Sequence, residues 1–555
     1  MMAPTAPSFF VRPFALRQAL RYAGDDHPPG YFALHCITVA NKRGSDQYRW
    51  KAKRKRRSNK ELRRSHLKTK RPRLQLCDLP SDILHYIISQ LPIKEAVRTS
   101  ILSKHWKYIW CFRKSLEFSY KSLFKDKRSI IPNHLVKKQD LIERVDTILN
   151  QHSGIGVEKL EVYFSLHNEH AEYIDRWLKF AIAAKTKQLI LDFTFVQPEK
   201  EPYSFPFQLF DATTGSHLQS MKLGSVSLKQ PADIKVLRNL TKLELVDVNM
   251  TNEELETMLS NCNVLEFLGI SRCLMLTSLR TRSPLNHLNH LHVSDCPLLQ
   301  QLELSFGLIT LEYEGPLIPL ASQSTLRNVS IKSSDICSAL AYIFTKLPST
   351  LPCLEMLTIG CEEFERANIL DMPLKFTYLR HLRLELNFAS LETRTTDVLD
   401  LACLLEAAPY MESLEIHMWM DCNLERYRKC HGDLRRLPSC PHPHLKVVNM
   451  TGFYGQKDQV ELALHILENS SALEKMMINP KPTVAAIYVY LTLKDGLCFV
   501  DGYKVAQKYI VQADHGDVVD VVKVRHRDVK NVFTFTLVDP LYIALKAERD
   551  GEASL

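Results

Sequence analysis

Apolar residues return along most of this chain in one six-residue phrase, apolar-x-x-apolar-x-apolar. It stands at Val157-Leu160-Val162, Leu218-Met221-Leu223, Leu240-Leu243-Leu245, Leu265-Leu268-Ile270, Leu288-Leu291-Val293, Leu299-Leu302-Leu304, Leu326-Val329-Ile331, Leu354-Leu357-Ile359, Leu379-Leu382-Leu384, Met411-Leu414-Ile416, Leu445-Val448-Met450 and Leu473-Met476-Ile478. Alternation inside each phrase predicts a short strand with one buried face. Phrases are mostly about 22 to 34 residues apart, the spacing of repeats that stack side by side because none can bury its own apolar face alone. Ser115-Leu116-Glu117-Phe118 reads as an earlier strand of the same kind. Helical patterns lie between the phrases. Thr251 and Glu254 form a capping-box pattern ahead of Leu255, Met258 and Leu259, and Tyr173, Trp177 and Phe180 share one stripe.

Before the repeats the period changes. Ile83, Leu84, Ile87, Ile88 and Leu91 share one face of a helix that Ser81 and Asp82 can cap and that Pro92 ends. A second helix is predicted from about Lys94 to Ile101, and a third from about Ser103, carrying Trp106, Ile109 and Trp110. A bundle of roughly 40 residues is too small to bury a self-sufficient core, so part of its apolar surface is left for a partner.

These residues carry a family resemblance. Leu79-Pro80-x-Asp82-Ile83-Leu84, Ile87-Ile88-x-x-Leu91-Pro92 and Ala96-Val97-Arg98-Thr99-Ser100-x-Leu102-Ser103-Lys104-x-Trp106 resemble the F-box of plant proteins, with His105 where the family usually has Arg. The resemblance implies docking on a Skp-type adaptor and, through it, a cullin-RING ubiquitin ligase. By the same resemblance Leu79, Pro80, Ile83, Leu84, Ile87, Leu91 and Pro92 lie in or beside the adaptor interface, and Leu102 and Trp106 close the bundle. Towards the end, His444-Leu445-Lys446-Val447-Val448, Gly452-Phe453-x-Gly455, Gln459-Val460-Glu461-Leu462-Ala463 and Leu473-Glu474-Lys475-Met476 resemble the FBD region that follows the repeats in many such proteins. That region reads as a strand, a glycine turn, a helix with Val460, Leu464 and Leu467 inward, and a final strand, together capping the array. Cys273, Cys296 and Asn387 each stand three places after a phrase, where leucine-rich repeats place a small buried residue near the turn.

The expected class is α/β: a short helical F-box bundle, an irregular leucine-rich-repeat solenoid with a parallel sheet and a helical convex side, and an FBD-like cap. The expected boundaries are a disordered basic region at 1–74, the F-box at 75–114, repeats at 115–436, the FBD-like region at 437–508 and an unassigned tail at 509–555, where 518–524 and 532–537 suggest a strand pair. In such a solenoid the residues between the leucines face the concave side. The target-binding candidates are Glu244, His290, His292, Glu303, Arg383, Glu385 and His417, with Lys242, Gln301, His381 and Glu415 beside them. Their mixed polarity suits a protein partner.

Charge changes this picture only locally. The net charge of the 555 residues is +10, yet residues 51–73 hold thirteen Lys or Arg against Glu61 alone, which leaves the remainder at −2. The basic block reads as a nuclear-import or tethering segment. It also supports an alternative, a nuclear nucleic-acid-associated protein acting through 51–73, against which the neutral remainder argues. Residues 1–24 carry Arg12, Arg17 and Arg21 without an acid, as a transit peptide would, but Pro4, Pro7 and Pro13 interrupt an amphipathic helix. Fourteen cysteines without a Cys-x-x-Cys, and no signal-type start, favour a reducing nuclear or cytoplasmic compartment over a secreted repeat receptor. The five Asn-x-Ser/Thr sites then carry no glycans. No apolar run is long enough to cross a membrane. Cys422, Cys430, His431, Cys440, His442 and His444 cluster without zinc-site spacing among four arginines. No phosphate loop, nucleophile elbow or acid–base carboxylate pair is present, so neither metal, cofactor nor catalysis is expected.

Overall fold

The computed structural model describes residues 79–524, apart from 105, 125–137, 195–199, 211–216, 229–234, 282–284, 304–306, 321–324, 334–335, 362–374, 389–396, 421–425 and 484–492. The basic block at 51–73, Cys422 and the strand expected at 532–537 lie outside the described residues. Two compact units emerge: the chain through Phe164 with Tyr173–Thr186, and Ser165–Glu172 with the chain from Lys187.

The first unit begins with the bundle. Helix α1 spans Ser81–Ser89 and α2 spans Ile93–Arg98, each entered from a proline at its N-cap (Pro80, Pro92) and without a side-chain cap. Ser81 is therefore the first helical residue, one place inside the expected cap. A proline suits this entry because its fixed φ is compatible with a helix start and its missing N–H has no partner there. Two 3-10 turns follow, Thr99–Ile101 and Trp106–Phe112. Leu84, Ile88, Leu91, Ile93, Ala96, Trp106, Ile109 and Trp110 form the bundle's core. Arg113 closes it by donating to the carbonyls of Leu91 at 2.6 Å, Ser89 at 3.3 Å and Ile88 at 3.4 Å, at and just beyond the end of α1. Strands β1, Ser115–Ser119, and β2, Lys159–Tyr163, pair in parallel. Helices α3, Lys138–Gln151, and α4, Ala171–Ala183, are joined by Trp177 Nε1 donating to Asp146 at 2.7 Å. On α4 the buried stripe is Ile174, Trp177, Leu178 and Ala181, while Tyr173 and Phe180 are half-buried.

The second unit is a parallel sheet in strict chain order. Its strands are β3 (Gln188–Asp192), β4 (Ser220–Gly224), β5 (Lys242–Val246), β6 (Phe267–Ser271), β7 (His290–Ser294), β8 (Thr310–Glu314), β9 (Asn328–Lys332), β10 (Met356–Cys361), β11 (His381–Phe388), β12 (Ser413–Met420), β13 (Val447–Thr451), β14 (Lys475–Asn479) and β15 (Val519–Val521). The register holds from strand to strand, with Leu243, Leu268, Leu291, Leu311, Val329, Leu357, Leu382 and Leu414 aligned as one buried row. The 45 % apolar content is thus concentrated in rows that only stacking can bury. Helix α5, Asn252–Leu259, has the expected capping box, with Glu254 N donating to Thr251 Oγ1 at 3.3 Å and Thr251 N to Glu254 at 2.8 Å.

One expected phrase lies outside the main sheet, and two of the sheet's strands come from phrases outside the expected set. Leu299 and Leu302 are buried, but Gln301–Leu302 pairs with Ser278–Leu279 in a separate two-stranded ladder. The main sheet instead takes Gln188–Asp192 and Thr310–Glu314. Their phrases are disguised because Thr186, itself buried, fills the first apolar place of one and Tyr313 the last place of the other.

Between strands the chain turns through a repeated left-handed residue. Ser225, Asp247, Arg272 and Asp295 have φ of 50°, 54°, 53° and 53°. Each donates its N–H to the end of the next strand, at Val246, Ser271, Ser294 and Glu314, over 2.8 to 3.0 Å. Cys273 and Cys296 follow such turns, buried, with their thiols on the carbonyls of Ser271 and Ser294.

In the FBD-like region, helix α6, Lys457–Asn469, buries Val460, Ala463 and Ile466, leaving Leu464 and Leu467 half-buried. Gly452, at φ +69°, lies so close to the Met418 carbonyl that a Cβ would stand 1.8 Å from its oxygen. The strand β14 is not the last, since α7, Leu493–Tyr509, leads to β15, which pairs with β14.

Candidate interaction surfaces

Two surfaces are candidates, one on the bundle and one on the sheet. On the bundle the apolar side chains that face outward are Ile83 at 42 % exposure, Tyr86 at 66 %, Ile101 at 86 %, Tyr108 at 58 % and Phe112 at 48 %. The ring of His85 lies 5.9 Å from that of Phe112. Of the residues expected at the adaptor interface, Pro80 and Ile83 are exposed and Leu79, Ile87, Pro92 and Leu102 are half-buried. Leu84, Leu91 and Trp106 are not surface: all three are buried, Leu84 completely, because they supply the small bundle's own core. Sequence reasoning missed Tyr86, Ile101, Tyr108 and Phe112. A helical stripe locates the inward face, and these four lie off it; their signal is apolar residues at positions the stripe assigns to solvent.

The second surface is the face of the sheet that carries the residues between the leucines. Glu244, His290, His292, Arg383 and Glu385 all occupy such positions. Glu303 does not: it follows the separate Gln301–Leu302 ladder, where Arg280 pairs with it at 3.2 Å. His417 has the expected register but is buried, with Nε2 2.9 Å from Glu415 and Nδ1 2.9 Å from both Thr451 and Thr483.

Across β9 to β12 the face is a connected charge lattice. Lys332 reaches Glu385 at 2.8 Å over Gly360, Arg383 bridges Glu385 and Glu415 at 2.9 Å each, and His381 stands 3.4 Å from Glu415. Partial burial pushes both carboxyls up. For Glu385 this is outweighed by Lys332 and Arg383, and for Glu415 by His417, His381 and Arg383, so both titrate below the usual carboxylate value.

Across β4 to β7 the face opens into a groove of about 310 Å³, lined by Lys222, Glu244, Val246, Phe267, Gly269, Ser271, Arg272, His292 and Asp295. Lys222 is held by Asp192 at 2.9 Å, Glu244 by Lys242 at 2.7 Å and His292 by Glu312 at 3.0 Å. Gly269 makes the opening, since a Cβ there would press on Glu244 and Phe267 at 3.1 Å. Among the described residues no three His, Cys, Asp or Glu are arranged to hold a metal, Cys430, His431, Cys440, His442 and His444 included. Among them, too, no helix is long and apolar enough to cross a membrane.

A helical bundle with outward apolar side chains, joined in one chain to an ordered parallel repeat array with a polar face, defines a binding architecture. An F-box domain model matches residues 76–117, and the family model described as At1g61320/AtMIF1, LRR domain, matches residues 148–525. The chain is 25 % identical over 438 residues to the putative FBD-associated F-box protein At5g50270 of Arabidopsis thaliana, covering 73 % of this chain and 97 % of that one. It is 23 % identical over 448 residues to the F-box/FBD/LRR-repeat protein At5g56420 of the same plant, covering 76 % and 95 %. To the F-box/LRR-repeat protein At3g26922, also of Arabidopsis thaliana, it is 30 % identical over 201 residues, covering 36 % and 60 %. The chain belongs to the plant F-box/FBD/leucine-rich-repeat family. F-box/leucine-rich-repeat proteins are generally substrate-recognition adaptors and typically non-catalytic, the F-box implying a Skp-type partner and the repeats a protein partner.

Proposed function

We propose that this protein is the substrate-recognition subunit of an SCF-type cullin-RING ubiquitin ligase, makes no covalent bond itself, and works in the nucleus, the cytoplasm or both. The observation that carries the reading is the outward cluster Ile83, Tyr86, Ile101, Tyr108 and Phe112 on a bundle whose core is otherwise closed. Aromatic and aliphatic anchors of this kind are what a buried protein interface is built from. Ile83, Tyr86 and Ile101, with Leu79, Pro80, Ile87, Pro92 and Leu102 around them, are the contacts we assign to a Skp-type adaptor. The repeat face then holds a target protein, and ubiquitin transfer gains from the high effective concentration of a tethered target. The basic block at 51–73 supports the nuclear part of the assignment.

The test is affinity purification of the full-length protein beside a Tyr86→Ala/Ile101→Asp variant. Recovery of a Skp-type adaptor and a cullin with the wild type, both lost in a variant whose thermal unfolding is unchanged, is the expected result. An equally folded variant that recovers both overturns the assigned interface. A wild type that recovers neither overturns the ligase reading.

A further inference from the structure

We propose that Arg272 is the recognition residue of the groove and takes a carboxylate side chain from an extended segment of the target protein. This rests on the reading that the repeats hold a target, and names which part of the face does so and with what chemistry.

Three observations meet at this residue. Lys222, Glu244 and His292 in the groove are neutralised within the molecule by Asp192, Lys242 and Glu312. Arg272, half-buried as a residue and lining the groove, has no ion-pair or side-chain hydrogen-bond partner among the described residues. A cation without a partner in the molecule is available to an anion, and the planar guanidinium fork matches a carboxylate in two places at once.

The backbone points the same way. Arg272 occupies the left-handed turn position that Ser225, Asp247 and Asp295 occupy in neighbouring repeats, at φ 53°. Asp is among the residues enriched in that conformation, through local hydrogen bonds of its short side chain; a long arginine has no such compensation. Strain retained in this way accompanies function.

The remaining lining describes the rest of the ligand. Phe267 is held between Lys242, 4.4 Å from its ring centre, and the His290 ring at 4.7 Å, and the missing side chain of Gly269 leaves room beside it. We assign an apolar side chain of the ligand to the room beside Phe267 that Gly269 leaves, and the neighbouring acidic one to Arg272. Asp247, which accepts from the Ser225 hydroxyl, and the exposed Asp295 flank Arg272. They make the site unfavourable for a polyanion, so a nucleic-acid strand does not suit it, while one carboxylate does.

The experiment uses the full-length protein purified with its Skp-type adaptor, as wild type and as Arg272→Asn, against a phage-displayed library of random linear twelve-residue peptides. Wild type is expected to enrich sequences with Asp or Glu next to an apolar residue. A synthetic peptide of the enriched sequence is expected to bind Arg272→Asn about tenfold or more weakly, the loss of one charge-assisted bond. The variant's melting temperature stays level or rises, since Asn tolerates the turn, whereas a merely structural arginine would lower it. Enrichment without acidic residues, equal binding by the variant, or no enrichment while the adaptor still copurifies overturns the groove assignment and leaves the ligase reading untouched. Acidic-peptide binding without adaptor recovery upholds the groove and overturns the ligase reading.

Discussion

The bundle and the repeat sheet handle the same problem, too little core per unit, in opposite ways. Each repeat passes its apolar face to the next, so the leucine rows are buried by neighbours in the same chain and the outward face stays polar and largely ion-paired. The bundle cannot repeat itself. Its inward residues are fully used, and Tyr86 and Ile101 are left facing water. The comparison teaches where binding free energy and where specificity come from. In the proposed ligase role, apolar burial on the bundle would supply affinity for the adaptor, and the mostly self-compensated charge pattern on the sheet would supply selection of the target.

The largest way to break the comparison is Leu84→Asp. This residue is fully buried, and a carboxylate there has no partner, so the bundle is expected to lose about 4 kcal/mol or more and unfold locally. Ile101→Asp, at an exposed position, is expected to stay within about 0.5 kcal/mol of the wild type. In the proposed role both are expected to lose the adaptor, and hydrogen exchange across residues 81–112 is expected to separate them: complete loss of protection in the first, none in the second.

Next in size is Gly452→Ala in the repeat array. Its Cβ would meet the Met418 oxygen at a backbone φ that only glycine adopts freely, and neither strand can yield without breaking the β12–β13 ladder. A loss of about 3 kcal/mol is expected in chemical denaturation. Adaptor recovery by the bundle is expected to remain, because the bundle's core contains none of these residues. Full loss of adaptor binding would show that the two surfaces are not separable in this way.

How much of this was readable beforehand follows from what each feature depends on. The strands follow from local alternation, so Leu243, Leu268 and Leu291 were readable, as were the Thr251 capping box and the buried Cys273 and Cys296. Thr186 and Tyr313 hid two strands because burial there is satisfied by a residue the apolar pattern does not count. The groove was not readable at all. It depends on Gly269 standing between Glu244 and His292 in register, and on Arg272 lacking a partner, facts about three strands at once. On the bundle the sequence distinguished helix faces but not Leu84 from Ile83, which differ in burial although adjacent.

A smaller effect comes from pH. His152 packs edge-on against Phe180 and tilted against Trp110, with Nδ1 accepting from Gly154 N at 3.0 Å and Nε2 buried. Burial and the nearby Arg113 charge lower its pKa from 6.5 to about 4, despite the raising contribution of the Arg113 backbone. Because the folded value is the lower one, the stabilisation is complete above pH 6.5 and is lost as pH falls through about 4. His152→Phe is expected to remove that part of the acid sensitivity in melting curves taken from pH 7 to 4, and an unchanged pH profile would show that His152 is not the titrating group.

The smallest effect lies in the charge lattice of the sheet, and there pH reverses the usual reading of a salt bridge. Lys332 and Glu385 are partly exposed, so Lys332→Met is expected to cost only about 0.2–1 kcal/mol at neutral pH. Glu385 is held below its ordinary value of 4.5, so the pair's contribution is complete above that pH and disappears as pH falls through the depressed value. Wild type and Lys332→Met should therefore differ at pH 7 and converge in acid, in the same melting series. Gly360→Ala sharpens the point. Its Cβ would stand 2.8 Å from Lys332 Cγ and 3.3 Å from Lys332 Cβ, so the substitution displaces the lysine side chain and also presses on its strand. A loss in Gly360→Ala that matches Lys332→Met at pH 7 and vanishes with it in acid would identify the ion pair itself, rather than packing under it, as what Gly360 preserves.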